Sequence, residues 1–126
     1  MRNYEIRVAT TGSAGAATGS GRRGIPNGKV YGIQVNYSNQ PATTDVTIKS
    51  KLGGVEKILL TLTDKNADFP MAAVLEAAKD NLGVDVVNTE NPNLVLPLVA
   101  GEIFVDVAQG DADADAVVVN VLIEVF

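Results

Sequence analysis

The chain has 126 residues, of which 46% are hydrophobic, 20% charged and 5% aromatic, and it contains no Cys, His or Trp. This excludes a disulfide framework, a zinc ribbon, an iron–sulfur cluster and a thiol nucleophile, and it removes the commonest general base and metal ligand. A net charge of −5 lacks the basic footprint of a nucleic-acid binder, and no apolar run approaches the ~20 residues of a membrane span.

The 18 Val, 7 Ile and 9 Thr are stiff at χ1 and pack well on a pleated surface, which predicts a sheet-rich single domain. Residues 2–10 alternate, with Tyr4, Ile6 and Val8 on one face and Glu5 and Arg7 on the other, as in a half-buried strand. Residues 11–28 then lose almost every bulky apolar side chain. Such a stretch buries too little surface to offset its ordering entropy, so it reads as a flexible arm closed by the turn Pro26-Asn27-Gly28.

Sheet returns over 29–37, with Tyr31, Ile33, Val35 and Tyr37 sharing a face. Val46 and Ile48 mark an inward face over 44–49, Leu52-Gly53-Gly54 turns the chain, and Ile58, Leu60 and Leu62 form the apolar face of 55–63. Short connections make these three runs an expected antiparallel meander. Residues 70–82 have helix composition between Pro70 and Gly83, with Val74, Leu75, Ala78 and Leu82 at helical spacing, which predicts a short helix.

A short strand over 84–87 and a polar loop over 88–93 follow. Pro97 interrupts the apolar run 94–99, so an edge strand or bulge is expected there. Ile103, Val105 and Val107 line one side of the strand 102–108. The strongest strand covers 116–126, with Val117, Val119, Val121, Ile123 and Val125 on one face, and should be central. The expectation is an all-β protein, mainly an antiparallel β-sandwich or jelly roll, with one short helix near 70–82. Its expected parts are an N-terminal strand and flexible arm over 1–28 and a sandwich body over 29–126.

Few residues carry chemistry. Asp111, Asp113 and Asp115 alternate and could face a hard cation such as calcium, but an EF-hand register would put Ala116 at its sixth position and Leu122 at its twelfth. A solvated hairpin loop is the better reading. The Gly-rich segment lacks a Walker Gly-Lys-Ser/Thr and does not enter a helix. Arg22 and Arg23 on this tether could dock to a carboxylate-rich partner. Ser13, Ser20, Ser38 and Ser50 have no histidine to activate them, and no spacing selects a Ser-Lys or carboxylate pair. No enzymatic activity, cofactor or metal is expected. Leu59, Val118, Leu122 and Phe126 fall opposite the main inward faces, as on a covered sheet or an oligomer interface.

Several segments resemble small structural proteins encoded beside the head genes of tailed bacteriophages. They are Gly28-Lys29-Val30-Tyr31-Gly32-Ile33, Pro41-Ala42-Thr43-Thr44-Asp45-Val46-Thr47-Ile48, Leu60-Thr61-Leu62-Thr63-Asp64, Pro97-Leu98-Val99-Ala100-Gly101, Val107-Ala108-Gln109-Gly110-Asp111 and Asp115-Ala116-Val117-Val118-Val119. The likeness spans 28–126 and is a pattern of strands and turns. It implies a capsid decoration, or cement, protein that binds the outside of an assembled shell, commonly as a homotrimer, and clamps neighbouring major capsid subunits. It carries no catalytic residue to transfer.

A virion location, with synthesis in a host cytoplasm, is then expected, and the expected partners are the major capsid protein and the chain itself, not nucleic acid or membrane. Capsid or inter-subunit contacts are expected from Tyr4, Ile6, Arg22 and Arg23, and removing 1–24 should leave the body folded. A second reading is a carbohydrate- or surface-binding β-sandwich module of a tail or fibre, which would want exposed aromatics among Tyr4, Tyr31, Tyr37 and the three Phe.

Overall fold

The computed structural model describes residues 1–86 and 94–126. It is all-β and antiparallel, with strands β1 (Arg2–Thr10), β2 (Ala17–Tyr37), β3 (Asp45–Leu52), β4 (Val55–Leu62), β5 (Phe69–Ala72), β6 (Glu76–Ala77), β7 (Leu94–Val95), β8 (Leu98–Gly110) and β9 (Asp113–Val125). Hydrogen bonding runs in the order β1-β9-β2-β8-β3-β4, with β5 on β2 and a separate β6-β7 pair.

Strand β2 organises the fold. Its first half pairs with β8, from Ala17↔Gly110 to Lys29↔Leu98, and its second half pairs with β9, from Gly28↔Val125 to Tyr37↔Val117. One strand thus belongs to two layers. β1, β9, the second half of β2 and β5 form one layer; the first half of β2, β8, β3 and β4 form the other. Their inward faces meet in one core, where Val8, Val35, Val119 and Val121 lie with Val46, Ile48, Ile103 and Val105. The alternation of Val117, Val119, Val121 and Ile123 places β9 between β1 and β2, as the sequence predicts.

The Gly-rich segment is not an arm. From Ala17 it is strand, and Ala17 itself is buried. Gly19 and Gly21 are steric requirements, because this half of β2 lies across β1. A Cβ at Gly19 would collide with the Ala9 carbonyl, and one at Gly21 would sit 2.9 Å from Ile6 Cγ2 and 3.0 Å from the Arg7 carbonyl oxygen. The chain leaves out side chains here to let two backbones approach. No boundary falls near residue 28, since β2 runs through it. Removing 1–24 would take away β1 and part of β2, hence Ile6 and Val8 from the core, so the remainder would not keep its fold.

The expected helix is absent. Val35↔Phe69 and Ile33↔Ala72 make β5 a short edge strand, where a proline such as Pro70 is tolerated. Further on, the Asp80 carboxylate accepts the N–H groups of Leu82 and Val84 at 2.8 and 3.0 Å, and Gly83 takes φ 79°. Asp80 thereby offers the backbone a turn in place of a helix. Lys79 and Asp85 close this small hairpin as a strand bridge and an ion pair. The short strand expected over 84–87 is only this bridge among the described residues, and Val87 and the 88–93 loop lie outside them.

Three further expectations change. β8 lies between β2 and β3, so 29–63 is not a meander; only β3 and β4 pair as a hairpin. A register shift between Val30 and Gly32 turns Tyr31 outward and Val30 inward. A bulge beside Leu59 (Ile48↔Leu60, then Lys49↔Ile58) sends Leu59 into the core and Ile58 to solvent.

Candidate functional site

The two ends of the sandwich differ in chemistry. The first end gathers the β1–β2 turn, the β2–β3 connection and the β8–β9 turn, and buried polar side chains bind them together. The Gln40 side-chain amide donates to the Ser38 and Asp111 carbonyls, both at 3.2 Å, and its oxygen accepts the Asp111 N–H at 2.9 Å. The Thr10 hydroxyl donates to the Asp111 carbonyl at 2.6 Å and accepts the Asp113 N–H at 3.1 Å. The Asn66 side chain donates to the Gln40 carbonyl at 3.0 Å.

The acidic triple serves this scaffold. The Asp111 carboxylate accepts the Gly15 N–H at 2.9 Å, and Asp113 accepts the Asp115 N–H at 2.9 Å and the Ser38 hydroxyl at 3.4 Å. Among the described residues no three acidic side chains converge on a common metal position. Nearby, the half-buried Tyr37 phenol has no hydrogen-bond partner, and burial, with Asp68 and Asp45 adding to it, pushes its pKa up to about 12.

The opposite end gathers the bend of β2 at Asn27, the β3–β4 turn, the start of β8 and the end of β9. The turn needs left-handed backbone at two successive positions, which Gly53 (φ 59°) and Gly54 (φ 83°) supply. Around it the surface is apolar: Leu52, Val55, Leu98 and Phe126 are exposed, Val55 and Phe126 by 74% each. With Asn27, Ser50, Lys57, Val99 and Ala100 they line an open cavity of about 600 Å³. Among the described residues, none of the exposed large apolar side chains lies at the first end.

Ser50 and Lys57 are cross-strand partners in this cavity. The Lys57 amine donates to the Glu76 carboxylate at 3.0 Å and to the Leu98 carbonyl at 2.8 Å. Both bonds run to structural neighbours on β6 and β8. Lys57 therefore acts as a tether between β4, β6 and β8.

The contact residues expected from sequence separate. Ile6 is 3% exposed and belongs to the core. Arg23 lies over the Tyr4 ring, 5.2 Å from its centroid, and donates to the Glu5 carbonyl at 3.1 Å, so these two residues fasten β2 to β1. Arg22 is exposed opposite Phe104 on β8, in a shallow pocket with Lys51 and Glu102. Of the residues expected opposite the inward faces, Leu59 is core, Val118 and Leu122 are half-buried, and Phe126 is exposed. Tyr31 and Phe126 are the exposed aromatics among the described residues. Leu52, Val55 and Leu98, which make the apolar end, carry no local sequence signal as a group, because they come from a turn and the first residue of a strand. A scan against protein-family models finds no match to the chain, and a search of curated proteins finds no significant match.

Proposed function

We propose that this chain is a non-enzymatic virion structural protein: a homotrimeric decoration protein that binds the outer surface of an assembled phage capsid and stabilises it by clamping neighbouring major capsid subunits. The observation that supports this reading most directly is the apolar end of a rigid two-layer body. Contiguous exposed apolar surface on such a body marks a protein–protein contact. A fastener needs affinity from modest contacts repeated over a lattice, and multivalency supplies that without a deep polar pocket. The first end, stapled by Gln40 and Thr10, is the outward, solvent-facing end in this reading.

Purified protein mixed with assembled heads that lack it should co-sediment at a fixed ratio and raise the temperature at which the heads rupture. Absence of co-sedimentation would end the proposal. Leu98→Asp, at an exposed position of the apolar end, should reduce the bound fraction at least tenfold while the protein remains folded.

A further inference from the structure

The outer face of the layer built from β1, β9, β2 and β5 carries polar groups that neither the core nor the apolar end uses. Across β1, β9 and β2 the ladder sets Asn3, Leu122 and Gly32 in one row and Glu5, Asn120 and Gln34 in the next. Three of these are carboxamides, and they form a chain: Asn3 Nδ2 donates to Asn120 Oδ1 at 2.9 Å, and Asn120 Nδ2 to Gln34 Oε1 at 3.5 Å. A carboxamide has two donor hydrogens and an acceptor oxygen. The Gln34 NH2 group and the Asn3 oxygen therefore remain open, with no bond to the described residues. Beside this chain, the register shift between Val30 and Gly32 swings Tyr31 outward, where it is 47% exposed. Gly32 leaves a gap next to it, and Met71 of β5 lies over that gap: a Cβ on Gly32 would sit 2.7 Å from Met71 Sδ. Tyr31, Gly32, Met71, Leu96 and Leu122 line an open cavity of about 380 Å³.

We infer that this face binds a neutral saccharide, with one sugar ring against Tyr31 in the cavity and its hydroxyls on the Gln34 and Asn120 amides. A sugar ring has an apolar face of C–H groups and a rim of hydroxyls that both donate and accept. An aromatic ring meets the first, and carboxamides, which also donate and accept, meet the second. Gly32 and Gln34 lie two residues apart on one face of β2, roughly 6.5 Å along the strand, so one ring can span both. An apolar cavity with a few convergent polar groups is the usual anatomy of a small-molecule site. Charge selects against other occupants. No lining residue is charged at neutral pH, and Glu5, in the amide row, is already paired with Arg7 at 2.8 Å. A phosphate or a nucleic acid would call for cations here, and an apolar peptide side chain would cover the open amides without bonding them. The cavity shares no lining residue with the one at the apolar end, so the inference goes beyond the capsid reading and stands without it.

Nuclear magnetic resonance of the full chain reads the site directly. The methyl glycosides of glucose, galactose, mannose and N-acetylglucosamine are titrated separately to high millimolar concentration. At least one should saturate and move the amide signals of Gly32, Gln34 and Asn120, whereas glucose 6-sulfate and N-acetylleucine amide should bind more weakly than that glycoside. Tyr31→Ala and Gln34→Ala should each weaken the glycoside about fivefold, and Tyr31→Phe, which keeps the ring, should stay within about twofold of wild type. Tyr31 is exposed and Gln34 half-buried, so these variants should keep the wild-type circular dichroism. Tyr31→Ala should co-sediment with heads as wild type does. No glycoside that moves these signals, binding that survives Tyr31→Ala unchanged, preference for either control compound, or loss of head binding in Tyr31→Ala would each overturn the inference. Heads that fail to bind wild type remove the capsid reading and leave this site standing.

Discussion

The two ends of this sandwich use the same strands in opposite ways. At the first, buried Gln40 and Thr10 satisfy the backbone of three connections at once, so the end is closed and polar. At the second, the β3–β4 turn and the start of β8 leave Leu52, Val55 and Leu98 uncovered. A side chain that saturates neighbouring backbone leaves little to offer a partner, whereas uncovered apolar groups gain free energy when a partner covers them. Stability should therefore concentrate at one end and association at the other.

The largest test of that division is Gln40→Ala. It removes three hydrogen bonds and leaves the part-buried Asp111 N–H without its side-chain acceptor, and should cost roughly 3 kcal/mol by urea unfolding with association unchanged below the transition. Thr10→Val removes two bonds from a residue that is nearly isosteric with its replacement, and should cost about 1–2 kcal/mol in the same assay. Val55→Asp, at the other end, should change stability by no more than about 0.5 kcal/mol while reducing co-sedimentation with heads at least tenfold. If it unfolds the protein instead, the division between the ends fails.

The smallest effect concerns Tyr37. Its folded-state pKa of about 12 exceeds the ordinary 10.0, so the folded state holds the proton more tightly than the unfolded one. The associated stability is present in full below pH 10 and is lost as pH rises toward 12. Tyr37→Phe should be close to neutral at pH 7, since the hydroxyl lacks a partner, and should remove this part of the alkaline decline in unfolding midpoints.

Much of the body is legible from alternation alone. Val117 to Ile123, Val46 and Ile48, and Ile103 to Val107 each read as half-buried or central strand and are so. The misreadings share a cause, which is that composition is local and packing is not. A run of glycine and alanine describes a mobile tether equally well as a strand pressed onto another backbone, and only β1 beneath Gly19 and Gly21 distinguishes them. Helical spacing over 70–82 loses to one carboxylate, Asp80, placed to cap a turn. Single-residue shifts beside Tyr31 and Leu59 reverse which side chain faces in, and nothing in an alternating run announces them. The apolar end was the least visible, because residues 52, 55, 98 and 126 are neighbours only once the strands are assembled.

The pairing of Arg2 with Ile123 and of Val8 with Val117 ties the earliest strand to the last. The Gly19–Gly21 stretch of β2 covers part of β1, but the main-chain ladder of β1 is made by β9, far along the sequence. A ladder joined across so much sequence raises the contact order, and sheets of that kind fold more slowly than locally paired ones.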